Sequence, residues 1–290
     1  MEFEEYNPVL NFLFFVSVIF FTIYISHPVF LAVSFIVGFV YSARLKNKNK
    51  KTVWFNLFLV LCAAVYAFIY ASYNHFGSSV LGRNFIGNSM TAESLLYGCI
   101  LGIKTVTVVM WLNAVTAVLT TDKIVYILGR VSPGLSIIVT ILLRRIALMG
   151  VHFKRIAASR AAVGKGTGCG NVFIRVINFV WCVQALLTFE TESIAESAFS
   201  MKSRGFTIRK RTAYSGYGFA GYDRGMLIFM VICMTVITMG MILDQTAVIY
   251  SPEIIINKAT YASVLFYLAY FIYCGMPLFI NIKNKYQNQI

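Results

Sequence analysis

Long apolar segments dominate this chain and constrain its fold more than any other feature. The segment Val53–Tyr73 carries no charged residue, and about 20 helical residues cross a hydrocarbon core of roughly 30 Å. Hydrocarbon offers no partners to backbone N–H and C=O groups, so a segment of this length forms a helix there. The apolar segments are Val9–Ile25, Val29–Ser42, Val53–Tyr73, Leu95–Leu119, Met226–Tyr250 and Ala259–Ile282. The sequence therefore predicts an all-α integral membrane protein with about six transmembrane helices.

The distribution of charge argues against a nucleic-acid-binding protein and orients the chain. Charged residues make up 12% of the sequence, against roughly 25% in soluble domains, and the formal net charge is +14. The basic residues lie mostly in two blocks between apolar segments, at 43–51 and 120–224, and form no separate domain. Because cytoplasmic loops are enriched in lysine and arginine, we expect both blocks and both termini in the cytoplasm, in a multi-pass protein of the cell membrane. The lipid bilayer is thus an expected partner, and nucleic acid is not.

Three regions follow from this pattern. They are N-terminal membrane helices at 1–119, a cytoplasmic-face region at 120–224 and C-terminal membrane helices at 225–290. The middle region holds fifteen of the chain's 25 basic residues, yet it also contains the apolar stretches Leu135–Met149 and Val172–Phe189. We interpret these stretches as parts of two long amphipathic helices at the cytoplasmic face.

Local signals predict the bounds of these two helices. Ser132 suits an N-cap and Pro133 the first helical position. The first helix stops at Gly164–Gly170, where four glycines occur within seven residues. The second helix runs over about 171–203 and stops before Gly205, since glycine is common after a helix C-terminus. Each helix of about 30 residues is roughly 45 Å long.

Both helices end on an arginine between small residues. An arginine in a last turn also complements the helix dipole. Two long helices that both end this way favour a binding role, because a guanidinium offers five donors to a carboxylate or to backbone carbonyls. Small residues on one helix face let two helices cross closely. The candidate partner-binding residues are Ser159, Arg160, Ala161, Ser203, Arg204 and Gly205, and the candidate helix-crossing residues are Ala157, Ala158, Ser193, Ser197 and Ser200.

The segment Leu187–Phe206, LTFETESIAESAFSMKSRGF, resembles the second coupling signature of a known family. That family is the transmembrane T component of energy-coupling factor (ECF) transporters, which includes the cobalt transporter Q subunit. Ser159-Arg160-Ala161 is similar to the first signature, where the family often shows Ala-Arg-Gly. His27-Pro28 is similar to an early family motif, but it lacks the lysine often found a few residues later. The resemblance covers nearly the whole chain.

The resemblance implies a non-catalytic coupling subunit. Its two arginine-bearing helix ends would rest in grooves on two ATP-binding-cassette (ABC) ATPase subunits, either a homodimer or a heterodimer. Its membrane helices would hold an S component that binds a vitamin or a metal ion such as cobalt. ATP hydrolysis would belong to the ATPases, and no cofactor is implied for this chain.

A self-contained secondary transporter or a polytopic membrane enzyme is the alternative. Such a protein would show internal repeats, broken helices or ionisable residues at mid-membrane, and none is apparent in the sequence. The run Gly164–Gly170 lacks the residue order of a phosphate-binding loop, and the three histidines lie in separate segments without metal-ligand spacing. Glu192 and Glu196 are expected to pair with basic residues. We therefore expect no catalytic site, metal or cofactor.

Overall fold

The chain is an all-α membrane protein with two small β-hairpins, as its computed structural model shows. The structure describes residues 3–45, 50–74, 76–77, 79–83, 87–205, 217–250, 254–256 and 260–287. Within these ranges, seven helices are long and apolar enough to cross a membrane. The predicted fold class is confirmed.

The helices follow the apolar segments closely. They are α1 (Pro8–Tyr24), α2 (Pro28–Leu45), α3 (Lys50–Tyr73), α4 (Ala92–Val118), α5 (Thr121–Val131), α6 (Pro133–Ala162), α7 (Val172–Ser203), α8 (Gly221–Ile242) and α9 (Tyr261–Gln287). A 3₁₀ turn, Phe3–Glu5, precedes α1. The antiparallel hairpins are β1 (Val80–Arg83) with β2 (Ser89–Thr91), and β3 (Val248–Ile249) with β4 (Ile255–Ile256). Helices α2, α3, α4, α6, α7, α8 and α9 are long enough to cross, and α1 is a shorter apolar helix.

The chain divides into two compact units, Met1–Thr120 with Tyr217–Ile290, and Thr121–Gly216. The predicted N-terminal and C-terminal membrane regions therefore pack together, as a bundle of α1–α4, α8 and α9. Aromatic rings fill its core because they bury much apolar area per residue. The core rings no more than 1% exposed include Phe14, Phe15, Phe21, Phe30, Tyr41, Trp111, Tyr270 and Tyr273.

Small residues bring α3 and α4 into backbone contact. A Cβ atom on Gly98 would lie 2.9 Å from the carbonyl oxygen of Ala67, and one on Gly102 would lie 2.8 Å from that of Ala63. Two glycines four residues apart on α4 thus face two alanines four residues apart on α3. This small-residue arrangement lets membrane helices approach closely.

Hydrogen bonds between side chains join four helices inside the bundle. Thr22 Oγ1 lies 3.0 Å from Ser34 Oγ, which also accepts from Trp111 Nε1 at 3.0 Å. The Tyr270 hydroxyl lies 3.4 Å from Thr22 Oγ1. Because unpaired polar groups are costly in an apolar interior, these contacts favour one arrangement of α1, α2, α4 and α9.

The N-terminal turn and the end of α9 lie at the same end of the bundle. The Phe3 N–H donates to Asn281 Oδ1 at 2.8 Å, and the Asn7 N–H donates to Asp223 Oδ1 at 3.3 Å. At the opposite end, the Tyr250 hydroxyl donates to the Ser26 carbonyl at 2.7 Å. Burial there, with Tyr97 nearby, raises the pKa of Tyr250 to about 12.

Candidate functional site

Glycine builds the end of α6. Gly164 has a φ of +75°. Its N–H donates to the carbonyl of Ala161 at 3.0 Å, and the Lys165 N–H donates to the carbonyl of Arg160 at 2.9 Å. These two bonds form a Schellman motif, in which a left-handed residue closes the last helical turn. The glycine run therefore stops the helix as predicted, and it leaves Arg160 in the last turn.

The end of α7 uses the same chemistry. Gly205 has a φ of +72°, and its N–H donates to the carbonyl of Lys202 at 3.1 Å. A side chain at this φ would meet a steric penalty that glycine avoids. Arg204 is the C-cap residue, and both it and Ser203 are exposed.

Helices α6 and α7 pack antiparallel. Arg145 of α6 donates to Ser197 of α7, and further along α6, Arg160 lines a cavity together with Asn178, which is earlier in α7. From Asn178 to Arg204, α7 rises by about 40 Å at 1.5 Å per residue. The two predicted arginine-bearing ends therefore lie at opposite ends of the pair.

A polar cluster joins the two helices between these ends. Arg145 Nη2 donates to the Ser193 carbonyl at 3.0 Å and to Ser197 Oγ at 2.7 Å, and Nη1 donates to Ser193 Oγ. Nη1 also lies 3.6 Å from Glu190 Oε2, and His152 Nδ1–H donates to Glu190 Oε1 at 2.7 Å. Glu190 is only 5% exposed. Its charge is therefore compensated by protein groups more than by water.

The structure brings some of the predicted helix-crossing residues to this contact. Ser193 and Ser197 accept hydrogen bonds from the guanidinium of α6, whereas Ser200 is exposed. On α6, Ala157 is half-buried and Ala158 is exposed. The small side chains of Ser193 and Ser197 were expected to let the backbone of a second helix approach closely. They instead make room for the long side chain of Arg145.

The two arginine-bearing ends differ in exposure. Arg160 is half-buried and borders a cavity of about 590 Å³ that Trp181 also lines. Its Nε atom is buried and has no hydrogen-bond partner among the described residues. The flanking Ser159 and Ala161 are exposed, as is Arg204 at the other end. Arg204 is thus the more exposed of the two arginines.

Sequence reasoning missed Arg145, His152 and Glu190 as a group. The sequence does place the α6 members on one helix face and the α7 members on another, because residues three, four or seven positions apart share one face of a helix. Arg145 and His152 are seven apart, and Glu190 precedes Ser193 and Ser197 by three and seven. Which two faces meet depends on the antiparallel register of α6 and α7, which neither helix specifies alone.

Among the described residues, neither a metal site nor the ion pairs expected for Glu192 and Glu196 are present. No group of three or more His, Cys, Asp or Glu side chains there could hold a metal ion. His75 lies outside the described residues, and His27 and His152 belong to different units. Glu192 and Glu196 form no ion pair with a described residue.

No protein-family model matches this sequence, and no curated protein matches it. What the site can do follows from its geometry. It consists of two arginine-bearing helix ends, roughly 40 Å apart along α7, and one polar cluster between them.

Proposed function

We propose that this chain is the transmembrane coupling (T) subunit of an ECF-type ABC importer for a vitamin or a metal ion. In this role, Ser159–Ala161 and Ser203–Gly205 bind two ABC ATPase subunits. The six-helix bundle binds a membrane S component that carries the substrate, and ATP hydrolysis belongs to the ATPases. The observation that carries the proposal is the antiparallel pair of α6 and α7, with an arginine at each end.

The separation of the two ends suits a dimeric partner. A small domain is about 30 Å across, so ends roughly 40 Å apart are far enough apart to contact two neighbouring subunits. Each guanidinium can bind a carboxylate with two parallel hydrogen bonds. Movement of the ATPases would then displace both ends of one helix pair, and the pair would pass that movement to the S component.

The hydropathy of the pair supports a position along the membrane surface. In the antiparallel register, the apolar stretch Leu135–Met149 of α6 lies beside the charged second half of α7, and Val172–Phe189 of α7 lies beside the basic end of α6. A bilayer crossed by both helices would cover charged residues whichever stretch it buried, at about 2.5–3.5 kcal/mol for each one near its centre. Along the interface, apolar sides enter the lipid and charged sides stay in water.

Basic residues support a cytoplasmic location for both termini. Arg44 at the end of α2, Lys51 at the start of α3 and Lys283 near the end of α9 belong to the end of the bundle where Phe3 bonds to Asn281. Cytoplasmic segments are enriched in such residues. The proposed location is therefore the cell membrane, with the arginine-bearing ends facing the cytoplasm.

The test reverses the charge at one helix end. Arg204→Glu should leave the protein folded in the membrane and weaken its binding to a co-expressed ABC ATPase pair, because an unpaired charge at a desolvated contact costs about 2–5 kcal/mol. Lys202→Glu is the matched control, since it makes the same charge change at an exposed residue two positions earlier. Co-purification from detergent and substrate uptake into cells are the measurements.

One result would contradict the proposal directly. Full ATPase binding and normal uptake in the double variant Arg160→Glu/Arg204→Glu would show that neither helix end couples the two proteins. Solute movement into liposomes that contain the purified chain alone would instead favour a self-contained transporter.

A further inference from the structure

The pair of α6 and α7 has almost no apolar core of its own. Among the described side chains, α6 contributes no buried one, and the buried ones of α7 are Asn178, Cys182, Leu186 and Glu190. Apolar side chains in contact with lipid gain little by packing on one another instead. The angle and register of this pair therefore have to be set by directional contacts.

The guanidinium of Arg145 makes directional contacts of this kind with α7. It meets the carbonyl and hydroxyl of Ser193 and the hydroxyl of Ser197, and it approaches the carboxylate of Glu190 to 3.6 Å. A planar fork of fixed donors tolerates little rotation of its acceptors. His152, two helical turns further along α6, holds the other oxygen of Glu190. Side chains from two different turns of α6 thus contact the carboxylate of Glu190.

We propose that Arg145 and Glu190 are positioning residues that set the crossing angle of α6 and α7, and with it the directions in which the ends that carry Arg160 and Arg204 point. The contact is called here the Arg145 clasp, and it comprises Arg145, His152, Glu190, Ser193 and Ser197. Arg145 lies about 22 Å along α6 from Arg160, so a rotation of about 15° at the clasp would move that end by about 6 Å. Only the consequence for ATPase coupling rests on the proposed function.

Each substitution in the Arg145 clasp removes a defined set of contacts. Arg145→Met removes three hydrogen bonds and leaves Glu190 buried without its cation. A double variant, Ser193→Ala/Ser197→Ala, keeps the charge pair and removes two hydroxyl acceptors. Arg144→Met is the matched control, because Arg144 is exposed and loses the same charge one residue away.

The test measures how far apart α6 and α7 lie at the end of the pair that carries Arg204, in the purified full chain without ATPases. Spin labels at Leu135→Cys and Ser203→Cys, both at exposed residues, lie on the same side of the Arg145 clasp, so the distance between them changes directly with the crossing angle. With the six native cysteines replaced, double electron–electron resonance reports this distance. With the clasp intact we expect one narrow distance distribution. Arg145→Met should at least double its width, the double serine variant should broaden it less, and Arg144→Met should leave it unchanged.

Two outcomes would overturn the proposal. One is an unchanged distance distribution in Arg145→Met. The other is equal broadening in Arg144→Met, which would mean that the loss of any positive charge in this turn of α6 has the same effect. If Arg145→Met does not purify as a monodisperse protein, the double serine variant decides in the same way. No ATPase takes part in this measurement. A negative result would therefore contradict the positioning role of the clasp and leave the proposed coupling function untouched, and a failure of the coupling function would leave the positioning role untouched.

Discussion

The surroundings of His27 favour its neutral form. The side chain is 4% exposed, and its Nδ1 atom accepts from the Val29 N–H at 3.3 Å. Its Nε2 atom lies 3.2 Å from the Tyr267 hydroxyl, so the ring proton sits on Nε2 and points to that oxygen. Burial lowers the pKa of His27 below its ordinary value of 6.5, since an imidazolium would lose its hydration.

Replacing His27 by asparagine should remove an acid-sensitive contribution to stability. Below about pH 6.5 the unfolded chain takes up a proton that folded His27 resists, so the free energy of unfolding falls as the pH drops. The loss is at most about 1.4 kcal/mol per unit by which the pKa is lowered. Asparagine does not titrate and can still accept from the Val29 N–H.

Thermal unfolding in detergent between about pH 8 and pH 5 measures this effect. The stability of His27→Asn relative to the native protein should rise as the pH falls. A difference between the two proteins that stays constant over this range would show that His27 titrates normally in the fold.

At the scale of elements, the contact between α3 and α4 depends on the absence of side chains at two positions. Gly102→Ala should force the two helices apart, because the new Cβ would lie 2.8 Å from a carbonyl oxygen of α3. Overpacking of this kind typically costs about 1–3 kcal/mol. The melting temperature in detergent, with size-exclusion chromatography as a check on folding, measures the loss.

A second glycine provides the matched control. Gly225 lies within α8, and a Cβ there would meet no atom within 4 Å. Gly225→Ala should therefore be neutral or stabilise the protein by up to about 1 kcal/mol through helix propensity. Equal losses of stability in the two variants would contradict close packing at Gly102.

The end of α8 differs from the sequence expectation. The apolar segment was predicted to extend to Tyr250, but the helix ends at Ile242 and β3 follows. Asp244 adopts a φ of +55°, and the Gln245 N–H donates to the carbonyl of Gly240 at 3.1 Å. Asparagine and aspartate tolerate this left-handed conformation better than most residues, so a polar interruption stops a helix that hydropathy alone would continue.

At the scale of the whole molecule, the sidedness of the two arginine-bearing ends separates an interfacial pair from a spanning hairpin. A spanning hairpin would put Ser159 and Ser203 on opposite faces of the membrane, because they lie near opposite ends of the pair. We expect single cysteines at both positions to react with a membrane-impermeant maleimide from the cytoplasmic face. Arg83→Cys, in an exposed hairpin after α3, should react from the outer face.

Labelling of intact spheroplasts and of inverted vesicles measures this sidedness. Labelling of Ser159→Cys and Ser203→Cys from opposite faces would mean that α6 and α7 cross the bilayer. The proposed contact of both ends with cytoplasmic ATPases would then be impossible.

The sequence alone is sufficient for the class of fold, for most helix bounds and for the two arginine-bearing ends. Long apolar segments have to be helical in lipid, and glycines at 164 and 205 stop helices through their own backbone freedom. These are local effects, which act between neighbours in the chain. They therefore appear in the sequence as length, periodicity and single residues.

The Arg145 clasp, the approach of α3 to α4 and the opposite placement of Arg160 and Arg204 emerge only in the folded chain. Each depends on which face of one helix meets which face of another, at a sequence separation of about 30 to 50 residues. Many faces of an apolar helix are nearly equivalent to lipid. The choice among them is made by steric fit and by hydrogen bonds between distant residues, which exist only once the helices are packed.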